Sequence, residues 1–397
     1  MTSYDPVELS ARVGALLPEL VAFRRDLHAH PETARNEVRT TERVAQRLKD
    51  AGLEPELLPG TGLVCDLGAG TGPAVALRAD LDALPVADVS GLPYASAVEG
   101  VAHACGHDVH TAVVLGAGLV LADLAAQGEL AHRVRLVFQP AEETMPGGAL
   151  DVVAAGALDG VGSIYALHCD PHLDVGHVGV RVGPITSASD HVFIRLTGSG
   201  GHTSRPHLTG DLVYALGQVV TQVPAILGRR VDPRAGVNVT WGRVSAGSAP
   251  NAIPRTGLLE GTLRCLDTDA WEHAGAILKE VVADVVRPYA VSSEVTLRRG
   301  VPPVENDASA VEVLETAARA VLGHAACVPT EQSLGGEDFA WYVHRVPGAM
   351  GRLGTRTPGG RTYDLHQGDF AVDESCIGVG VRLLAAVAAA GPYPPEG

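Results

Sequence analysis

The chain has 397 residues, room for two or three domains at about 150 residues each. Hydrophobic residues make up 46 % and charged residues 19 %, which excludes a disordered chain. Its 30 basic and 46 acidic residues give a net charge of −16, the wrong sign for nucleic acid or an anionic membrane surface.

The stretch Met1 to Leu20 carries Asp5, Glu8 and Arg12, so it does not read as a secretory signal. Asp5-Pro6-Val7-Glu8 instead supplies an N-cap, a proline at the first helical position and a capping-box glutamate. The stripe Leu9, Val13, Leu16, Leu17, Leu20 continues that helix. A second helix is expected over Thr41–Asp50, ending at Gly52. Strands follow at Leu63–Leu67 and Ala74–Ala79, joined by the turn Gly70-Thr71-Gly72-Pro73. The apolar run Thr111–Ala126 is broken by Asp123, falls short of the ~20 residues of a membrane span, and reads as a buried helix. Val134–Phe138 and Ser163–Leu167 are further apolar strands. Short apolar runs alternating with helices predict a mixed, mostly parallel, buried sheet of the α/β class.

The pattern then changes. Strands at His191–Thr197, Gly236–Val244, Gly257–Cys265 and Glu294–Arg298 enclose helices at Asp211–Leu227 and Asp267–Arg287. Their order, β-α-β-β-α-β, is ferredoxin-like. After Gly300 helices are expected near Ala308–Leu322 and Asp373–Ala390. The expected organisation is a discontinuous α/β catalytic domain (1–185 and 300–397) with an inserted α+β lid or dimerisation domain (186–299). Six cysteines (Cys65, Cys105, Cys169, Cys265, Cys327, Cys376) are scattered, which suits reduced thiols in a cytoplasm better than a disulfide framework.

The 16 histidines are the unusual count, and several cluster. His103-Ala104-Cys105-Gly106-His107-Asp108-Val109-His110 sets three imidazoles, a thiol and a carboxylate just before the buried helix. This is not the Cys-x-x-Cys spacing of a structural zinc site; it suits a catalytic metal site with open positions. Three strands run into further ligand chemistry: Asp80-Leu81-Asp82, Glu142-Glu143 and His168. Sites in open α/β sheets form beyond the carboxyl ends of strands. The adjacent Glu142 and Glu143 point in different directions, so one can ligate a metal while the other acts as a base. Tyr363-Asp364-Leu365-His366 and Gly335-Gly336-Glu337-Asp338-Phe339 are weak signals alone. In the insert, His202 sits on the glycine-flexed loop Gly200–His207, Asn251 precedes Ala252-Ile253-Pro254, and Arg264 suits a carboxylate ligand.

Together these motifs resemble the aminoacylase and carboxypeptidase family of co-catalytic metallopeptidases. The branch is similar to the amidohydrolases that include hippurate hydrolase, N-acyl-amino-acid amidohydrolases and indole-acetyl-amino-acid hydrolases. The resemblance runs from Arg24 to Glu374, through Arg25–Glu32, Arg78–Pro85, His103–His110, Phe138–Glu143, Leu167-His168, Gly201-His202, Asn251–Pro254, Gly335–Phe339 and Leu365-His366. It implies two divalent metal ions per subunit (Zn, Mn, Co or Ni) held by Cys105, His107, Glu143, His168 and His366. In this branch the cysteine stands where relatives use a bridging carboxylate.

The resemblance also implies Glu142 as general base, His202 reaching across a homodimer to the oxyanion, Asn251 and Arg264 on the substrate carboxylate, and Asp82 orienting a ligand. His30-Pro31-Glu32 reads as structural. Thr144-Met145-Pro146-Gly147-Gly148 replaces the run of glycines usual in relatives, a departure at the pocket rim. The implied reaction is hydrolysis of a small N-acyl amino acid by a metal-activated water. The alternatives are a dipeptidase or carboxypeptidase using the same site, a thiol hydrolase with Cys105 as nucleophile, and a binding module that kept the fold.

Overall fold

The computed structural model describes residues 5–392. Residues 1–4 and 393–397, the outer ends of the expected first domain, lie outside the described residues. The chain divides into two compact units.

The first unit extends to Ile185 and adds Glu305–Glu331 and the chain from Asp338. Its centre is an eight-stranded mixed sheet. The middle strands Val134–Gln139, Ala74–Asp80, Val161–Asp174 and Gly348–Arg356 are mutually parallel, while Leu63–Leu67 joins antiparallel. Val75, Leu77, Leu136 and Tyr165 are fully buried, as strands covered on both faces require.

The helix Pro6–Ala29 begins with the Asp5 side chain accepting the Val7 N–H (2.8 Å). Glu8 turns to Arg12 (2.7 Å). The second helix runs Val38–Asp50, three residues earlier than expected. The cause is a distant cap, because Glu32 Oε1 and Oε2 accept the Arg39 and Thr40 N–H groups at 3.0 and 2.8 Å. That gives His30-Pro31-Glu32 a structural role. The His107–Ala126 helix also starts four residues early, behind Gly106 at φ 89°. It is long and apolar enough to cross a membrane by length and composition, but 78 % of its apolar window is buried in the core. Gly116 and Gly118 permit this, since a Cβ there would lie 2.6 Å from Leu20 Cδ1 and 2.3 Å from Leu136 Cδ1.

The Val161–Asp174 strand continues seven residues past its expected end because Gly348–Arg356, a strand with no counterpart in the expectation, pairs along it, Arg352 opposite His168. His168 therefore sits within a strand.

The second unit runs Thr186–Val304 and takes in Gln332–Glu337. The expected insert stops at 299 and leaves 332–337 outside. Two interactions move the boundary. The strand Ser292–Val301 pairs with Ala188–Thr197 as far as Val301. Gln332 Nε2 donates to the carbonyls of Thr186 and Leu266 (2.9 and 3.0 Å). The unit is a four-stranded antiparallel sheet, ordered Asn238–Ala246, Thr256–Cys265, Ala188–Thr197, Ser292–Val301. Helices Leu212–Arg230 and Thr268–Val286 complete a β-α-β-β-α-β order, and Val192, Ile194, Leu259 and Leu263 pack with their Leu216, Val219, Leu278 and Val282. The two lysines fall one per unit, Lys49 exposed on Val38–Asp50 and Lys279 exposed on Thr268–Val286.

Candidate metal centre and active site

Four segments of the first unit converge on one point. Gly106 brings the chain sharply from Cys105 into the helix. A Cβ at Gly106 would lie 2.7 Å from Cys169 Sγ, and its positive φ is one that glycine adopts freely. Cys105 thereby ends just outside the helix and His107 on its first turn. The strand Val134–Gln139 leads into Glu142 and Glu143, and Val161–Asp174 carries His168. His366 comes from a loop whose His366 N–H donates to the Ala104 carbonyl (2.8 Å).

Ligand atoms of Cys105, His107 and His168 lie within 4.8 Å of one another, and so do those of Cys105, Glu143 and His366. The thiol belongs to both sets. Cys105 Sγ is 3.5 Å from His168 Nε2, and His366 Nε2 is 3.4 Å from Glu143 Oε1. His107 Nε2 is 3.8 Å from both Glu142 Oε2 and Glu143 Oε1.

The imidazoles are held with their lone pairs inward. His107 Nδ1 donates to the Asp82 carbonyl and His168 Nδ1 to the Cys169 carbonyl, both at 2.8 Å. Each Nε2 is left as the ligating atom. His107 Nε2 and Glu143 Oε1 are buried without a hydrogen-bond partner, an expensive arrangement unless a cation lies between them. A thiol, three imidazoles and a carboxylate are a fitting donor set for a borderline divalent metal.

The charge balance points the same way. His366 is pushed up to about 10 by the Cys105 thiol and the Glu143 carboxylate beside it. His107 is raised well above its ordinary value; burial opposes this, and Asp80 and Cys105 outweigh it. Burial and then Arg352 push His168 down, keeping it a neutral ligand. Burial and then Glu143 push the Cys105 thiol up.

Asp82 touches the glutamate pair from behind. Its Oδ1 accepts the Glu142 N–H (3.0 Å) and its Oδ2 the Glu143 N–H (2.9 Å). One buried carboxylate thus holds both glutamates, while its own carbonyl holds His107. Ala141 and His366 have φ of 57° and 62°, a left-handed conformation costing roughly 1–2 kcal/mol without glycine. Such strain is retained where surrounding structure over-determines it, often at functional sites.

The other three candidates lie in the second unit. The short strand Gly201–His202 pairs with Ala252–Ile253, and the Thr203 N–H donates to the Asn251 carbonyl (3.2 Å). His202 and Asn251 are therefore neighbours. The Ser204 N–H reaches His202 Nδ1 (3.1 Å) with the Ser204 hydroxyl on the same atom (2.8 Å). A backbone N–H only donates, so neutral His202 carries its proton on Nε2. Arg264 lies on Thr256–Cys265 and donates to the Leu334 carbonyl (2.7 Å).

Residues 76–390 match the profile of peptidase family M20/M25/M40. The chain belongs to that family. A Rhodococcus jostii protein named as a candidate glutamate–cysteine ligase 2-3 is 51 % identical over 93 % of this chain, which spans 46 % of that relative's length. The N-acetyl-L-cysteine deacetylase of Bacillus subtilis is 36 % identical over 94 % of this chain and 87 % of its own. The Bacillus subtilis YXEP protein, described as a dinuclear metal binding peptidase from the M20 family, superposes with a TM-score of 0.84 at 34 % identity, over 95 % of this chain and 98 % of that one.

Around the centre, this M20/M25/M40 chain carries supports that sequence reasoning did not single out. His110, from the same cluster as His107, has both nitrogens engaged within the fold. Its Nδ1 donates to Asp80 (2.7 Å) and its Nε2 accepts the Cys169 N–H (2.9 Å), steadying the residue beside His168. Arg78 pairs with Asp80 (2.6 Å) and with Asp338 (2.8 Å), and Asp338 also accepts the Ala149 N–H (3.0 Å). Asp108 is held by Arg24 (2.7 Å) and His28 (2.8 Å). Burial pushes His103 down to about 4. Asp338 and Asp108 lie inside the quoted motifs, but nothing in residue type alone separates a support from a ligand.

Proposed function

We propose that the chain is a two-metal amidohydrolase that hydrolyses N-acyl amino acids to a carboxylic acid and an amino acid. The observation that carries this reading is the Cys105 thiol shared by two ligand sets, with Glu142 left facing the same point. Cys105, His107 and His168 would hold one divalent ion and Cys105, Glu143 and His366 the other. When bound, the ions supply Lewis-acid activation of a water and of the amide carbonyl. Glu142 takes the water proton and passes it to the departing amine. His202 donates its Nε2–H to the oxyanion, from the partner subunit of a homodimer built on the inserted domain. Asn251 and Arg264 bind the substrate carboxylate, and Asp82 positions the glutamates. The deacetylase name of the Bacillus relative makes N-acetylcysteine the first substrate to try. The cysteines are unpaired, which suits a cytoplasmic enzyme.

Two observations weigh against a thiol hydrolase: Cys105 is buried, and its pKa is raised, so little thiolate is available for attack. The test is elemental analysis together with turnover on a panel of N-acyl amino acids and dipeptides. Two equivalents of metal and preference for the acyl amino acids are expected. One metal or none at full activity refutes the two-metal reading, and a preference for dipeptides refutes the substrate assignment.

A further inference from the structure

Three consecutive amides lead into the glutamate pair, and each donates to a buried carboxylate. Those of Glu142 and Glu143 go to Asp82. The Ala141 N–H goes to Glu37 Oε1 (2.8 Å), across a sequence separation of 104 residues.

Glu37 is fully buried and stands at the N-cap position of the Val38–Asp50 helix, yet its side chain makes no cap bond. Glu32 caps that helix instead. The Glu37 side chain is spent elsewhere. Oε1 also accepts the Arg35 N–H (2.9 Å), and Oε2 accepts the Thr61 hydroxyl (2.6 Å). The Glu37 carbonyl accepts the Thr41 N–H (3.0 Å) and hydroxyl (2.6 Å), and Thr41 Oγ1 accepts the Gly62 N–H (2.9 Å). The carboxylate is therefore fixed before it meets Ala141. Ala141 is buried and in the left-handed region without being glycine. Its carbonyl accepts the Gly148 N–H (2.9 Å), closing the turn that holds both glutamates.

We infer that Glu37 is a positioning residue for the hydrolysis, holding Ala141 in its left-handed conformation and so setting the direction in which Glu142 and Glu143 leave the sheet. A fixed acceptor at this position, charged or neutral, satisfies that buried amide, and its removal leaves the N–H unpaired. A misplacement near 1 Å of groups that must meet costs on the order of 10²-fold in rate. The inference rests on the assignment of Glu143 as a metal ligand and Glu142 as the base.

The test compares Glu37→Gln and Glu37→Met, similar in size, with Glu32→Ala as a control for helix-cap loss. Glutamine keeps an acceptor for Ala141 and donates to Thr61; methionine does neither. Metal affinity is measured by titration of the metal-stripped protein with Zn²⁺ or Mn²⁺, alongside kcat, KM and Tm. Glu37→Met is expected to lose at least ~10-fold in metal affinity and in kcat, with KM little changed. Glu37→Gln stays near wild type, and Glu32→Ala lowers Tm while leaving metal affinity unmoved. If Glu37→Met fails to fold, Ala141→Gly is added to it, since glycine takes the left-handed turn unaided; the double variant is expected to recover folding and a metal affinity close to that of Glu37→Gln, and a double variant no better than Glu37→Met overturns the inference. Equal metal affinities for the two Glu37 variants, or a Glu32→Ala loss as large, overturns this inference alone. A wild-type protein that binds no metal overturns the proposed function as well.

Discussion

Replacing Asp82 by asparagine leaves its size intact and removes one of two charge-assisted acceptors. The wild-type carboxylate is 1 % exposed and takes the Glu142 and Glu143 N–H groups at 3.0 and 2.9 Å. In Asp82→Asn the amide oxygen satisfies one N–H, and the NH₂ group faces the other as donor against donor. A hydrogen bond to a charged group contributes about 1.5–3 kcal/mol, and an unsatisfied buried donor costs a similar amount. A net loss of about 2 kcal/mol follows, equivalent to roughly 30-fold in an equilibrium constant. Part of it falls on folding and part on metal affinity, because Glu143 is no longer held. The expected result is a lowered urea midpoint with an unchanged slope, and a metal affinity lower by up to ~30-fold. Two assays read it: equilibrium unfolding of the metal-free protein and Zn²⁺ titration of the folded one. An Asp82→Asn protein matching wild type in both refutes the clamp.

Glu142→Gln is expected to keep its metals and lose at least ~10²-fold in kcat, while Glu143→Gln loses metal; elemental analysis of the two variants decides, and the opposite outcome swaps the roles. Mixing Glu142→Ala with His202→Ala is expected to restore activity in about one quarter of sites, since half of randomly re-formed dimers are mixed and each has one complete site. No recovery on mixing places His202 within its own chain. His366 is raised in the metal-free fold from 6.5 to about 10, so its stabilisation is full below about 6.5 and lost as pH rises toward 10. Metal binding removes that proton, so metal affinity rises with pH over the same window. Thermal unfolding of the stripped protein, compared with His366→Ala across pH 6 to 10, checks the sign.

The parallel core was legible because its strands are short apolar runs bounded by turns. Gly348–Arg356 was not, since its glycines, alanine and arginine carry no strand propensity, and only pairing with Val161–Asp174 makes it a strand. The early start of the His107–Ala126 helix was hidden for a related reason: a left-handed glycine at the N-cap is a conformational signal with no side chain to announce it. At the site, thiol, imidazole and paired carboxylates were conspicuous by type. Their division into two sets sharing Cys105 required coordinates. Glu37 and the double hold of Asp82 left no trace in the sequence, because a carboxylate that accepts backbone N–H groups looks the same as one facing water.

The placement of the lysines has a practical consequence. Lys49 is exposed in the first unit and Lys279 in the second. Amine-directed fluorophores therefore mark each unit once, a terminal amine aside, without any engineered attachment point.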